Sequence, residues 1–272
     1  MVNWQEGDVL TNGIRLHYYR SGGDKPPLVL AHGITDSGMC WPLLSEELAP
    51  DYDLIAIDAR GHGKSEKPEE GYGRETHAAD LAGLIEALGL AKPAVLGHSM
   101  GAGSATVLAA RYPQAVGCLL LEDPPIRDLG KSVADPTAAA EWSERIQQRR
   151  EKSVDELIAE GRAENPKWPV VVFEPWAAAK RQVSPNVVKY ITAEDATWTE
   201  YVQSVQCPVL LITGEPELGG IVTAEMAARI AELNPRFKPA HIAGAGHNIR
   251  RDRFAAYVHA VRGFLADVYP EA

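Results

Sequence analysis

Apolar residues along the chain fall into short runs that are separated by longer amphipathic stretches. Continuous runs of about five apolar residues that end at glycine, proline or a charged residue are typical of strands buried on both faces. Near the N-terminus, the segment GIRLHYYRSG alternates apolar and polar residues, which predicts a half-buried strand. Further strands are predicted in PPLVLAHG, DLIAIDARGHG, AVLGH, AVGCLLLEDPP, CPVLLITGE and FKPAHIAGAGH.

Segments with helical periodicity follow most of these predicted strands. RETHAADLAGLIEALGL, for example, carries apolar residues at helical spacing from Ala78 to Leu88. The other segments of this kind are MCWPLLSEELAPDY, GAGSATVLAARYP, TAEMAARIAELNP and FAAYVHAVRGFLADVY. Because short apolar strands that alternate with helices favour a parallel sheet covered on both faces, the pattern predicts a doubly wound α/β fold.

The alternation is interrupted once, over residues 126–195. We predict no pair of strands in this stretch. It contains charge-rich sequence with helical periodicity, such as AAEWSERIQQRREKSVDELIAEGR, together with Trp142, Trp168, Phe173 and Trp176. The charge density is too high for helices buried against a doubly wound sheet. We therefore expect 126–195 to form a helical cap (lid) inserted into a core made of 1–125 and 196–272.

Composition and charge exclude several classes of protein. Of the 272 residues, 45% are hydrophobic and 24% charged, and the net charge of −10 argues against nucleic acid or an anionic membrane as a partner. The chain shows neither a secretory signal pattern nor the ~20 apolar residues that cross a bilayer, so we expect a cytoplasmic protein. The three cysteines, Cys40, Cys118 and Cys207, are too sparse for a disulfide framework or a zinc site.

The segment AVLGHSMGAGS, residues 94–104, places a serine between a predicted strand and a predicted helix. G-x-S-x-G in this context is the nucleophile elbow pattern, in which a strained turn exposes the serine hydroxyl above the sheet. Gly97 and Gly101 avoid collisions with the neighbouring strand and helix, and the helix N-terminus favours negative charge beside Ser99. Ser99 is the candidate nucleophile.

A serine hydroxyl needs a base to take its proton, and His247 is the candidate among eight histidines. It stands in AGAGHNI, between the last predicted strand and the last helix, where a doubly wound sheet delivers residues to the carboxyl ends of its strands. It also follows Ser99 in chain order, as in hydrolases with this elbow.

The acid that orients the histidine has two candidates. Asp123 directly follows the strand CLLLE, and Glu217 lies in the loop EPELGG after VLLITG. Either carboxylate could reach a histidine above the sheet, because both follow the carboxyl ends of strands. Asp123 ranks slightly ahead, and Glu217 remains the alternative.

An oxyanion hole requires two convergent backbone donors. Met100 follows the serine and offers its N–H from the start of a helix, and Ile34 in LAHGITDSG is the candidate for the second donor. The glycine-rich segment DARGHGKS, residues 58–65, lacks the spacing of a phosphate-binding loop and is interpreted as a structural turn.

Taken together, these segments resemble the α/β-hydrolase fold family, in particular its bacterial esterases and C–C hydrolases with a helical cap. The resemblance implies an α/β-hydrolase fold with a mostly parallel, doubly wound, eight-stranded sheet. Two residues depart from the family pattern: Glu217 stands where the late acid loop usually has aspartate, and Ala102 where a second glycine is common. The matching segments are HGITDSGMCW (32–41), DARGHGKS (58–65), GHSMGAG (97–103), LLLEDP (119–124), LLITGEPE (210–217) and GAGHNI (244–249).

Serine at the elbow favours an acyl-enzyme route over the dehalogenase and epoxide hydrolase chemistry for which members of this fold use aspartate. We expect hydrolysis of a small-molecule carboxylic ester or lactone, without metal or cofactor, by a monomer or homodimer. The alternatives are C–C hydrolysis of diketone-type substrates and slow-turnover ligand binding on the same fold. The substrate pocket is expected to include Asp36, Trp41, His98, Trp142, Trp168 and Trp176.

Overall fold

The computed structural model describes residues 2–130 and 135–268. Residues 131–134 of the predicted cap, and residues 1 and 269–272 of the predicted core, lie outside the described residues. The strands are β1 (Gln5–Thr11), β2 (Ile14–Arg20), β3 (Pro27–Ala31), β4 (Asp53–Ile57), β5 (Ala94–His98), β6 (Cys118–Glu122), β7 (Val209–Thr213) and β8 (Phe237–His241). The α-helices are α1 (Pro42–Leu48), α2 (Arg74–Ala87), α3 (Met100–Arg111), α4 (Pro136–Glu151), α5 (Val154–Glu164), α6 (Phe173–Gln182), α7 (Lys189–Thr192), α8 (Trp198–Ser204), α9 (Ala224–Leu233), α10 (Ile249–Asp252) and α11 (Phe254–Val268).

The eight strands form one sheet in the order β1-β2-β4-β3-β5-β6-β7-β8. The pairs β1–β2 and β2–β4 are antiparallel, and all pairs from β4 to β8 are parallel. The predicted α/β-hydrolase fold, with its mostly parallel eight-stranded sheet, is therefore confirmed. The order reverses around β3, so the loops after the central strands converge at one edge, where ligands bind in such sheets.

Strand β1 is the one strand that the hydrophobic pattern does not predict. It lies at the edge of the sheet, and Val9 is its one buried residue. An edge strand with both faces largely in solvent has no need for apolar alternation, so its sequence, QEGDVLT, carries no strand signal.

Helices cover both faces of the sheet, as predicted. On one face, α2, α3, α8 and α9 pack over alternate side chains of the strands, including Val29, Val95 and Leu121. On the other face, α1 and α11 pack over the intervening side chains, including Leu30 and Leu96. The five-residue strands β4, β5, β6 and β7 are buried along their whole length, which explains why polar side chains occur only at their ends.

Between β6 and β7 the described chain is helical. The charge-rich text predicted as helix forms two helices, α4 and α5, and a capping box separates them. In that box the Ser153 hydroxyl accepts from the Glu156 N–H, while the Glu156 carboxylate accepts from the Ser153 N–H. Helices α4 to α7 fall within 126–195, whose separation from the core as a cap stays a prediction.

Helix α3 lies unusually close to strands β3 and β5 at its first turn. A Cβ on Gly97 would lie 2.5 Å from the backbone nitrogen of Ala102. A Cβ on Gly101 would overlap the carbonyl group of Ala31 and lie 2.8 Å from the carbonyl oxygen of His32. Both obstacles are backbone atoms that cannot rotate away, so these positions require glycine, as the elbow pattern predicts.

We expect Gly101→Ala to lower the free energy of unfolding by about 1–3 kcal/mol or more, the usual cost of overpacking. Gly263→Ala provides the control, because Gly263 lies in α11 and a Cβ there would meet no atom within 4 Å. Alanine there should raise the free energy of unfolding by about 0.5–1 kcal/mol. Chemical denaturation of both variants checks this, and a Gly101→Ala protein as stable as wild type would contradict the packing described.

Candidate active site

Ser99 occupies the turn between β5 and α3 in a strained backbone conformation. Its φ of 51° and ψ of −114° are rare for a residue other than glycine. Two backbone hydrogen bonds hold the turn, from Ser99 N to Glu122 O and from Gly103 N to Ser99 O, both 2.9 Å long. The strand, turn and helix that the sequence predicts around Ser99 are thus present, and Ser99 borders a cavity.

His247 lies in the loop after β8 and borders the same cavity as Ser99. Its Nδ1 lies 2.6 Å from Oδ2 of Asp123. Because an ionised carboxylate only accepts hydrogen bonds, Nδ1 carries the proton, and in the neutral ring Nε2 is the nitrogen free to take one. No hydrogen bond joins the Ser99 hydroxyl to His247 among the described residues, and such bonds often form only when substrate is bound.

The carboxylate of Asp123 is fully buried, and the loop after β7 supplies hydrogen bonds to it. Ile221 N lies 2.8 Å from Oδ2, and Val222 N lies 3.0 Å from Oδ1. The alternative acid, Glu217, lies exposed in the 3₁₀ turn Pro216–Leu218 of that loop. The loop after β7 therefore contacts Asp123 through backbone N–H groups and not through the Glu217 side chain. Of the two candidate acids, Asp123 is the one paired with His247.

Ile34 and Met100 border the cavity beside Ser99. Met100 is the first residue of α3, where backbone N–H groups have no partner within the helix. Ile34 follows Gly33, whose carbonyl oxygen accepts a 2.9 Å hydrogen bond from Asp36 N. Both predicted donors of the oxyanion hole therefore lie on the wall that contains the serine.

The cavity has a volume of about 660 Å³, which suits a small organic molecule. Five of the predicted pocket residues line it: Asp36, His98, Trp142, Trp168 and Trp176. The prediction for Trp41 is wrong. Trp41 directly precedes α1, and its side chain points into the core, where the residue is 2% exposed. The centroid of its ring lies 4.3 Å from the guanidinium carbon of Arg250.

His98 supports the loop that carries His247. Its Nε2 donates a 3.0 Å hydrogen bond to the carbonyl oxygen of His247, and the two rings lie 4.7 Å apart. Burial lowers the pKa of His98 well below its usual value, and the charges of Arg250 and His247 lower it further. A neutral His98 with its proton on Nε2 is therefore built into the wall next to His247.

A buried ionic network centred on Asp36 borders the cavity. The carboxylate of Asp36 accepts from Lys180 at 3.3 Å, from Arg250 at 3.0 Å and from Arg251 at 2.7 Å. Arg250 also donates to Glu122, one residue before Asp123. Burial alone would raise the pKa of Asp36, but the charges of Arg251, Lys180 and Arg250 hold it well below its usual range.

The basic side chains that line the cavity are not predicted by the sequence. They come from separate helices and loops of an acidic protein, so no local motif or overall charge indicates them. Five cationic side chains and two acidic ones line the cavity in the described part of the chain. The cationic ones are Arg74, Arg127, Arg149, Lys180 and Arg251, and the acidic ones are Asp36 and Glu164.

Neither a metal site nor a membrane span is found over residues 2–130 and 135–268. Within these ranges, no group of three or more histidine, cysteine, aspartate or glutamate side chains is arranged to hold a metal ion. In the same ranges, no helix is both long and apolar enough to cross a bilayer.

Similarity to known proteins identifies the family. The family model described as the α/β-hydrolase fold matches residues 26–165. The chain belongs to the α/β-hydrolase family. It is 31% identical to N-formylmaleamate deformylase of Pseudomonas putida over 268 residues, which cover 95% of this chain and 96% of the relative.

Two other α/β-hydrolases are similar to this chain over nearly its whole length. The 2-(acetamidomethylene)succinate hydrolase of Mesorhizobium japonicum is 29% identical over 258 residues, which cover 90% of each chain. The crystal structure of an esterase from a Rhodococcus species superposes with a TM-score of 0.78 at 25% identity, covering 98% of this chain and all of the esterase.

The two candidate acids can be separated by labelling Ser99 with a fluorophosphonate. We expect Asp123→Asn to slow labelling by about 10²-fold or more, because the amide no longer fixes the proton on Nδ1 of His247. Glu217→Gln is the matched control and should label at the wild-type rate. Slow labelling of Glu217→Gln together with normal labelling of Asp123→Asn would reverse the assignment.

Proposed function

We propose that this α/β-hydrolase is a serine hydrolase that cleaves the acyl bond of a small, carboxylate-bearing ester or amide through an acyl-enzyme on Ser99. The observation that carries the proposal is the 2.6 Å contact of Asp123 with His247, whose ring borders one cavity together with Ser99 and the candidate donor residues Ile34 and Met100. A nucleophile, an oriented base and an oxyanion site on one wall are the parts that acyl transfer needs.

In the first half of the reaction, His247 Nε2 takes the Ser99 proton while the serine oxygen bonds to the acyl carbon. The N–H groups of Ile34 and Met100 donate to the developing oxyanion, and Asp123 stabilises the imidazolium. His247 then returns the proton to the departing oxygen or nitrogen. In the second half, water loses a proton to His247 and attacks the acyl carbon. His247 then returns that proton to the Ser99 oxygen as the acyl–oxygen bond breaks, which releases the acid and regenerates the serine.

The charge of the cavity supports an anionic substrate. Five cationic side chains and two acidic ones are in the described lining, although the chain as a whole carries a net charge of −10. Four of these cations are ion-paired, whereas the exposed Arg127 has no ion-pair partner among the described residues and is available to a substrate carboxylate. Two relatives are named for N-formylmaleamate and 2-(acetamidomethylene)succinate, both of which combine an acylated nitrogen with at least one carboxylate. We extend that substrate type to this chain and keep esters, because the mechanism tolerates either leaving group.

Residues within 126–195 provide much of the cavity lining. Trp142, Trp168 and Trp176 supply apolar surface, while Arg149 and Lys180 supply positive charge. We propose that the helices within 126–195 act as the cap and determine which substrates enter, whereas residues after the strands carry out the reaction.

The first prediction concerns the nucleophile. With a p-nitrophenyl ester, wild-type protein should release a burst of p-nitrophenol equal to the enzyme concentration if deacylation is the slower half. Ser99→Ala should show neither burst nor turnover, because no other serine lies at the elbow. Ser104→Ala is the control, since Ser104 lies on the same helix with its hydroxyl bonded to Met100 O. Turnover retained in Ser99→Ala would contradict the mechanism.

The second prediction concerns the substrate charge. Monomethyl maleate should be hydrolysed with a kcat/KM about 10-fold to 10²-fold higher than dimethyl maleate, the range that a charge-assisted hydrogen bond supplies. Rising salt should reduce the difference in kcat/KM by screening the exposed Arg127 and the partly exposed Arg149. Equal rates for the two esters would contradict an anionic substrate.

A wider panel distinguishes the type of bond that is cleaved. N-formylmaleamate and 2-(acetamidomethylene)succinate represent the acylated amines, and a dienoate diketone represents C–C hydrolysis. Strong activity on the diketone with little on esters or amides would favour the C–C alternative, and stabilisation by all of them without turnover would favour a binding protein.

A further inference from the structure

The ring of His32 lies between two backbone groups whose hydrogen-bonding roles are fixed. Its Nε2 accepts a 3.1 Å hydrogen bond from Ala59 N, and its Nδ1 lies 2.8 Å from Gly33 O. An amide N–H can only donate and a carbonyl oxygen can only accept. His32 is therefore neutral, with its proton on Nδ1, and donates to Gly33.

Burial keeps His32 in this form. The residue is 1% exposed, and burial lowers the pKa of its ring below the usual value. Protonation would also direct a second ring N–H at the N–H of Ala59. The ring therefore acts as a fixed link from one backbone acceptor to one backbone donor.

The acceptor of this link belongs to the peptide unit that carries the candidate oxyanion donor. Gly33 O and Ile34 N are parts of one planar peptide, and the described chain contains no cis peptide bond. In a trans peptide the carbonyl and the N–H point in opposite directions. Gly33 O is held by two donors, His32 Nδ1 at 2.8 Å and Asp36 N at 2.9 Å, so the Ile34 N–H is held on the opposite side.

We propose that His32 is a positioning residue that holds the Ile34 N–H toward the oxyanion. The inference rests on the proposed function, since it gives His32 a role in the acyl transfer at Ser99. The hydrogen bond to Gly33 O acts in two ways. It prevents the peptide from rotating, and it polarises the peptide so that the Ile34 N–H becomes a stronger donor.

The segment 58–65 completes the support. The carboxylate of Asp58 accepts from Gly38 N at 2.7 Å and Lys64 N at 2.8 Å, which ties this segment to the loop after β3. The ring of His62 packs 4.7 Å from the ring of His32, and its Nε2 lies 2.6 Å from Ile34 O. The turn predicted from DARGHGKS therefore packs against His32 and lies within hydrogen-bonding distance of Ile34 O.

Two substitutions of similar shape each remove one of the two hydrogen bonds of His32 and retain the other. The amide nitrogen of asparagine reproduces Nδ1, so His32→Asn retains the donor to Gly33 O and loses the acceptor for Ala59 N–H. The amide of glutamine reaches the position of Nε2, so His32→Gln retains the acceptor and loses the donor. A positioning role predicts that asparagine preserves activity and that glutamine does not.

The rate of acylation should fall by about 10-fold to 10²-fold in His32→Gln, part of the 10²–10³ lost when one oxyanion donor is removed. KM should change little, because the ground-state carbonyl binds the hole weakly. His32→Asn should stay close to wild type. The inhibition constant of a trifluoromethyl ketone, whose adduct with Ser99 carries an oxyanion, should rise in His32→Gln alone.

His17→Gln controls for loss of a buried imidazole, since His17 is 6% exposed and its Nδ1 lies 2.9 Å from Asp8 of the edge strand β1. Greater activity in His32→Gln than in His32→Asn, or equal losses in both, would overturn the inference while leaving the proposed function intact. Turnover retained in Ser99→Ala would overturn the proposed function, and this inference with it.

Discussion

The carboxylate of Asp123 has no exposed surface and accepts hydrogen bonds from His247, Ile221 and Val222. It directly follows β6, and its partners follow β7 and β8, so one buried charge joins the loops of three neighbouring strands. A buried charge is stable only when it is well paired. The hydrogen bonds to Asp123 therefore hold the loops after β6, β7 and β8 in fixed positions relative to one another. This junction fixes the carboxylate that pairs with Nδ1 of His247.

Much of the fold could be predicted because burial leaves a direct record in the sequence. The strands from β3 to β7 are apolar since both of their faces are covered, and the glycines around Ser99 are required because backbone atoms stand where a Cβ would be. Strand β1 left no such record, because only Val9 faces the core. Trp41 was misplaced because closeness in sequence to Asp36 says nothing about the direction in which α1 turns its side chains.

The site was predictable where a local pattern encodes the geometry, and not where distant segments meet. The turn at Ser99 needs only its own neighbours, and so could be predicted. Asp123 and Glu217 looked equivalent because both follow strands that are adjacent in the sheet, and the choice depends on which loop turns its backbone inward. The basic lining, including Lys180 and Arg251, has no local signal, since its members meet only in the folded chain.

The position of the helical insertion has a further consequence. It leaves the sheet after β6 and returns before β7, and these two strands are hydrogen-bonded neighbours, with Leu119 opposite Val209. The two ends of the insertion are therefore fixed by the sheet, whatever the chain does between them. A change in the length of 126–195 therefore need not move Asp123 or the backbone groups that hold it. In the proposed division of roles, in which 126–195 selects substrates and the strand-end loops carry out the reaction, selectivity can change separately from reactivity.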